Sequence, residues 1–312
     1  MEGLVVKNTG SWYMVRYQDG VEPLACRIKG NLRLKGIRAT NPVAVGDMVM
    51  VEVKADGSAV ITGIKPRRNY IIRRASNLSK EYQIIASNLD QAVLVVTLAQ
   101  PLTNTTFIDR FLATAEAYRV PAVIAINKVD LLVEPDDREL LEAVVYLYRS
   151  IGYTVIPMST VTGEGIDELS KVLEGKMSLL SGNSGVGKSS IINRLVPEAG
   201  LRVGDVSEAH HKGMHTTTFS EMIDLSGTGA IIDTPGVKSF GTIDFEPAEV
   251  AHYFREIFAE SANCRYGDCT HTHEPGCAVL QAVEENRISQ SRYASYLSIF
   301  EEDPDNKYRK PQ

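Results

Sequence analysis

One stretch constrains the fold of this chain more than any other: Gly182-Asn183-Ser184-Gly185-Val186-Gly187-Lys188-Ser189-Ser190. It fits the pattern G-x-x-x-x-G-K-S, and its flanks suit that pattern. Met177-Ser178-Leu179-Leu180 reads as a short buried strand leading in, and Ile191-Ile192-Asn193-Arg194-Leu195 as the first turns of a helix leading out. Between a strand and a helix N-terminus, glycines let consecutive backbone N–H groups turn inward around anionic oxygens. Such a loop predicts a bound nucleoside triphosphate. Residues Gly182 to Ser190 wrap its phosphates, Lys188 reaches the β- and γ-phosphates, and the Ser189 hydroxyl ligates Mg²⁺.

The residues ahead of the loop carry a matching alternation. Gln91 to Leu98 is a near-continuous apolar run, as expected of a strand buried on both faces. Phe107 to Tyr118 has helical apolar spacing. Pro121 to Ile126 is a second strand, and it runs straight into Asn127-Lys128-Val129-Asp130. A helix around 137–149, a strand over Thr154 to Met158 and a helix over Ile166 to Leu173 complete the series. Regular alternation predicts a doubly wound α/β sheet with its ligand beyond the C-terminal strand ends.

An N-K-x-D tetrapeptide at a strand end, beside a phosphate loop, reads a base. The Asp130 carboxylate can accept both N1–H and N2–H₂ of guanine, donors that adenine does not present, and a site built on that demand discriminates sharply. Asn127 is expected to bond the base edge, the Lys128 stem to cover base and sugar, and Ser159 and Thr160 to give backbone contacts to the base. Downstream, Ala230-Ile231-Ile232 ends in Asp233-Thr234-Pro235-Gly236. There Asp233 is expected to hold Mg²⁺ through water and the Gly236 N–H to sense the γ-phosphate. Between the two lies His215-Thr216-Thr217-Thr218; one threonine, Thr216 or Thr217, completes the Mg²⁺ shell. Val237 stands where many regulatory GTPases have a water-orienting glutamine, so isolated turnover should be slow and His215 is the best internal candidate for positioning water.

Residues 1–75 read as all-β, with short β-branched and aromatic runs separated by Gly, Asp and Asn turns. Five or so strands in that length fit an OB-fold barrel. This part holds 13 Lys+Arg against 6 Asp+Glu, whereas the remainder holds 20 against 33. Arg27, Lys29, Arg33, Lys35 and Arg38 alternate with apolar residues, and Arg67 and Arg68 follow where the barrel should end. The clusters suit contacts to a nucleic-acid phosphate backbone without base readout, the alternative being an edge strand protected by charge. Residues 75–90 read as a polar connector.

Near the C-terminus, Cys264-x₄-Cys269-x-His271-x₅-Cys277 offers three thiolates and an imidazole, a structural zinc set with no open position; His273 is the alternative fourth ligand. Helices are expected over Val250–Ala259, Ala278–Glu285 and Gln290–Glu302. With 4 cysteines among 312 residues a disulfide scaffold is excluded. No apolar run reaches the roughly 18 residues of a membrane span, and Met1 to Val15, lacking a basic region followed by an apolar stretch, are not expected to act as a signal peptide. A monomer in the cytoplasm is expected.

The order of these motifs carries a resemblance. The base-reading loops precede the phosphate loop, and the two switch segments follow it: a circularly permuted GTPase domain. With the β-barrel before it and the Cys/His cluster after it, the chain resembles the bacterial small-ribosomal-subunit-dependent GTPases, the ribosome biogenesis GTPase A family. The resemblance implies three domains: 1–75, an RNA-binding OB-fold; 76–243, the permuted GTPase domain; and 244–312, a helical zinc-binding domain. It also implies GTP hydrolysis stimulated by the small ribosomal subunit and its rRNA, and a role in late maturation of that subunit. The family's His-Thr-Thr-Thr motif agrees with a catalytic His215 beside Lys188 and Gly236. One rival reading is an assembly factor for another ribonucleoprotein particle that uses GTP as a conformational lock. Another is a metabolic ATPase or kinase, against which Asp130 argues.

Overall fold

The computed structural model describes residues 1–29, 42–74, 82–201, 220–225, 227–233 and 245–302. Five strands open the chain: β1 (Glu2–Asn8), β2 (Tyr13–Arg16), β3 (Leu24–Ile28), β4 (Met48–Val53) and β5 (Ala59–Ile64). They run in the order β1-β2-β3-β5-β4, and β4 pairs back with β1, so the sheet closes into a barrel. Alternate residues fill it: Val5, Tyr13, Val15, Cys26, Val49, Val51 and Ile61 form one interior cluster. β3 has little sequence signal because only Cys26 of its five residues is fully buried.

The expected polar connector is instead half of a hairpin. β6 (Tyr70–Arg74) pairs antiparallel with β7 (Tyr82–Ser87), outside the main sheet. Its apolar members Ile71, Ile84 and Ile85 are buried. A two-stranded ribbon is marginal by itself. It persists here because Ile71, Ile85 and Ala86 join the core under the next domain's sheet.

That sheet contains β8 (Gln91–Val96), β9 (Ala122–Ile126), β10 (Thr154–Pro157), β11 (Met177–Ser181) and β13 (Ala230–Asp233), parallel and in the order β10-β9-β8-β11-β13. β12 (Glu221–Asp224) adds antiparallel to β13. β8 is buried throughout, as its apolar run requires. Its odd and even residues face different layers. Leu94 and Val96 pack with α1 (Thr105–Ala117) and α2 (Pro135–Ser150) through Ile108, Phe111 and Tyr148. Val93 and Val95 pack with α3 (Ile166–Leu173) and α4 (Lys188–Leu195) through Leu169, Leu173, Ile191 and Ile192. Strands β8, β9 and β10 are thus laid down before β11, the strand that carries the phosphate-type loop.

β12 also pairs with β1, so the barrel strands and the domain sheet form one eleven-stranded sheet. Lys7–Glu221 (2.9 Å) and Arg16–Asp224 (2.5 Å) bridge that seam. The last block comprises a 3₁₀ segment (Pro247–Tyr253), α5 (Arg255–Ser261), α6 (Ala278–Glu284) and α7 (Gln290–Phe300). The single helix expected over Val250–Ala259 breaks at Phe254, whose backbone is extended (φ −112°, ψ 101°). That break lets the fully buried Phe254 ring meet Tyr296 edge-on at 5.8 Å. Among the described residues no helix is long and apolar enough to cross a membrane.

Candidate functional site

The loop between β11 and α4 has the backbone its glycines permit. Gly182, Gly185 and Gly187 have φ of 145°, 83° and 98°. At Gly182 a Cβ would lie 2.3 Å from the Val95 carbonyl oxygen, and at Gly187 it would lie 2.4 Å from Asn127 Nδ2. The loop is therefore threaded between the ends of neighbouring strands with no room for side chains at those two points. Gly187 is the N-cap of α4, and Lys188, Ser189 and Ser190 form its first turn. The first N–H groups of a helix have no intrahelical partner, and the helix dipole favours negative charge at that end. Lys188 Nζ donates to the carbonyls of Gly182 (2.7 Å) and Asn183 (2.8 Å). Burial lowers the pKa of this ammonium below the usual lysine range, an effect the nearby Asp233 carboxylate only partly offsets. Asp233 ends β13, opposite Leu180, the last residue but one of β11. A serine hydroxyl and a carboxylate are the hard oxygen donors that Mg²⁺ takes, so Ser189 and Asp233 fit that ion chemically.

Asn127 is 1 % exposed and joins three loops. Its Nδ2 donates to the Val186 carbonyl at 2.8 Å, and its Oδ1 accepts from Thr160 N–H at 3.3 Å. These bonds use one of the amide's two N–H groups and one of its carbonyl lone pairs, so holding the loops together is a role additional to the expected bond to a base edge. Asp130 sits in a 3₁₀ turn, Val129–Leu131, after Lys128 in left-handed geometry (φ 64°). The buried Ser159 hydroxyl donates to Asp130 Oδ1 at 2.5 Å and accepts from the N–H groups of Val161 and Thr162, each at 3.1 Å. This hydroxyl, which the sequence reading passed over in favour of backbone contacts, fixes the carboxylate's direction. Lys128 Nζ donates to the Gln100 carbonyl at 2.7 Å, laying its stem along this side of the site. Arg194 of α4 was also missed; it reaches the Thr160 carbonyl at 3.1 Å and so ties the phosphate-loop helix to the same loop. Sequence spacing carries no signal for either contact. His215, Thr216, Thr217 and Gly236 lie outside the described residues.

The cationic residues divide. Arg27 and Lys29 are exposed, and the Arg27 guanidinium lies 4.2 Å from the Trp12 ring centre. Arg68 is exposed and pairs with Asp90 at 2.7 Å. Arg67 is not a surface cation: its side chain is 7 % exposed and locked to the fully buried Asp47. The expectation of a phosphate contact at Arg67 is corrected on that ground. Arg33, Lys35 and Arg38 lie outside the described residues.

The second cluster is Cys264, Cys269, His271 and Cys277, whose ligand atoms all lie within 4.8 Å of one another. Tetrahedral bonds of about 2.3 Å to sulfur and about 2.0 Å to nitrogen imply edges of roughly 3.8 Å and 3.5 Å. Here Cys264 Sγ lies 3.9 Å from Cys277 Sγ, and these lie 3.6 and 3.5 Å from His271 Nδ1. The four residues therefore fit one zinc ion. His273 is exposed, with Nδ1 bonded to the Thr272 hydroxyl, and is not among the four.

A parallel sheet with a phosphate loop after β11, and base-side loops contributed by strands earlier in the chain, defines a circularly permuted GTPase. Residues 64–243 match the RsgA GTPase family, and residues 2–61 match the RsgA N-terminal domain. The chain belongs to the RsgA GTPase family. It is 60 % identical over 314 residues to a protein of Porphyromonas gingivalis and 58 % identical over 309 residues to one of Phocaeicola vulgatus. Both are named small ribosomal subunit biogenesis GTPase RsgA, and each match covers 99 % of both chains. The crystal structure of YjeQ from Thermotoga maritima superposes with a TM-score of 0.76 at 34 % identity, over 96 % of each chain. That of YloQ, described as a circularly permuted GTPase, gives 0.72 at 32 % identity, over 99 % of this chain and 96 % of that one.

Proposed function

We propose that this chain hydrolyses GTP to GDP and phosphate on the small ribosomal subunit, which stimulates it, and that it acts in late maturation of that subunit. The observation that carries the reading is the Asn127 amide. It holds the base-reading turn, the Ser159–Thr160 loop and the phosphate loop together at the C-terminal ends of the strands. The partner comes from the names of the two relatives, both of which are called small ribosomal subunit biogenesis GTPases.

In this reading residues Gly182 to Ser190 cradle the phosphates. Asp130, aimed by Ser159, accepts from guanine, and Lys128 covers the base. Lys188 leaves its two loop carbonyls for phosphate oxygens. Ser189, Asp233 and Thr216 or Thr217 would hold a Mg²⁺, which would supply positive charge to offset that of the phosphates. Water attacks the γ-phosphorus in line, the bond to the β-phosphate oxygen breaks, and the water's proton leaves with the phosphate. His215 positions that water and the Gly236 N–H contacts the γ-phosphate, so catalysis is positioning and charge stabilisation. Arg27, Lys29 and Arg68, with Arg33, Lys35 and Arg38, meet rRNA backbone. One zinc ion sets the helical block. The chain works as a cytoplasmic monomer of three domains, 1–75, 76–243 and 244–312.

GTP turnover with purified small subunits, large subunits, or neither tests the proposal. Stimulation by small subunits alone is expected. Tight GTP binding with no turnover under any condition would replace the enzyme by a GTP-locked assembly factor.

A further inference from the structure

α7 touches two places that sequence keeps far apart. The Tyr293 hydroxyl donates to the His271 carbonyl and the Tyr296 hydroxyl to the Thr270 carbonyl, each at 2.7 Å. Both acceptors belong to the Cys/His loop. That loop is also gathered from within. The Glu274 carboxylate accepts from the N–H groups of Thr270 (2.7 Å), Thr272 (3.1 Å) and His273 (3.2 Å). These bonds place His271 in its left-handed conformation, φ 57°.

One residue before Tyr293 on the same helix, Arg292 is fully buried. It donates to Asp109 of α1 at 2.8 Å and to Glu256 of α5 at 2.6 and 3.1 Å. The Tyr148 hydroxyl of α2 donates to the same Asp109 oxygen at 2.7 Å. Asp109 and Tyr148 belong to the GTPase domain, and both are completely inaccessible. A buried ion pair contributes less net stability than apolar packing would, but mispairing it is costly, so it selects one docking position. Arg292 and Tyr293 are adjacent, and Tyr296 follows Arg292 by four residues, about one turn. A helix displaced at Arg292 cannot keep both tyrosines on their carbonyls. Tyr296 is further fixed by stacking on Phe300 and Tyr293, with ring centres 5.8 and 6.0 Å apart.

We infer that α7 links metal retention at Cys264, Cys269, His271 and Cys277 to docking on α1, which makes Asp109 of the GTPase domain a positioning residue for a metal loop it never touches. The inference rests on the reading of that cluster as a zinc site. By linkage, zinc must stabilise the α1–α7 contact by the same factor that docking strengthens zinc binding.

The test is zinc release from the full-length protein to a chromophoric chelator, followed by stopped flow. Asp109→Asn keeps the shape and leaves Arg292 its bonds to Glu256. It should release zinc at least fivefold faster than wild type, and Tyr148→Phe should shift the rate in the same direction by less. Glu221→Gln, which breaks a surface pair in the same domain, should leave the rate unchanged. Amide exchange in residues 105–117 should accelerate when zinc is removed, while Ala122–Ile126 stays protected. Release rates of both variants within twofold of wild type would overturn the inference, as would unchanged exchange in α1. If Asp109→Asn fails to fold, Tyr148→Phe alone decides. A wild-type protein that holds no stoichiometric zinc would instead refute the zinc reading itself.

Discussion

Arg67→Met should unfasten the barrel from the rest of the molecule. Arg67 Nε donates to Asp47 Oδ1 at 2.6 Å, and its terminal nitrogen bonds Asp47 Oδ2 at 2.5 Å and the Pro42 carbonyl at 2.6 Å. Asp47 also accepts from the Ser87 hydroxyl of the β7 hairpin at 2.6 Å and from the Ala44 N–H at 2.8 Å. The carboxylate therefore joins barrel, linker and hairpin at one buried point. Removing one partner of a buried pair typically costs about 3–5 kcal/mol. Two bonds to the carboxylate survive, so the low end, about 3 kcal/mol, is expected. Trp12 is the chain's only tryptophan and sits on the barrel, so its fluorescence reports that module's urea transition. For a module this small, with a slope of about 1 kcal/mol per molar urea, the midpoint should fall by roughly 3 M. Adding Asp47→Asn removes the orphaned charge and should recover a large part of the loss, since coupled sites are not additive. A shift below about 0.5 M with no coupling between the two substitutions would refute the argument. RNA affinity should be unaffected under conditions where the barrel is folded, because the Arg67 guanidinium never reaches the surface.

Two further substitutions probe the nucleotide site. Gly187→Ala meets both a left-handed backbone and the Asn127 amide at 2.4 Å, so binding of a fluorescent GDP analogue should weaken at least tenfold while circular dichroism is unchanged; near-normal affinity would show that the loop adapts. Ser159→Ala removes the hydroxyl that orients Asp130 and supports two loop N–H groups. A loss of about 1–2 kcal/mol follows, roughly a tenfold rise in the GDP dissociation constant with reduced preference over ADP; unchanged preference would separate Ser159 from base reading.

The phosphate loop, N-K-x-D, the order in which they occur and the Cys/His spacing were all legible in the sequence, because each depends on residue type at short fixed separations. Steric permission for a left-handed Gly185 or Gly187, a Lys at a helix N-terminus and four ligands within fourteen residues are local properties. So was the alternation that placed β8, β9 and α3. What sequence left open was every contact whose partner is distant. β3 and the β6–β7 hairpin lack strong local patterns and persist because other elements cover them. Arg67 looks like Arg68 in one dimension; only the fold shows that one guanidinium closes on a carboxylate twenty residues away while the other stays at the surface. Sequence places Asn127 at a base edge, and only the tertiary arrangement adds its bonds to Val186 and Thr160. Asp109 carried no signal as an apolar-face intruder in α1 until Arg292, 183 residues later, was seen against it. Local sterics and ligand chemistry are written into short stretches of sequence, whereas burial is a property of what the chain brings back to a residue, and burial decides whether a charge binds a partner or holds the protein together.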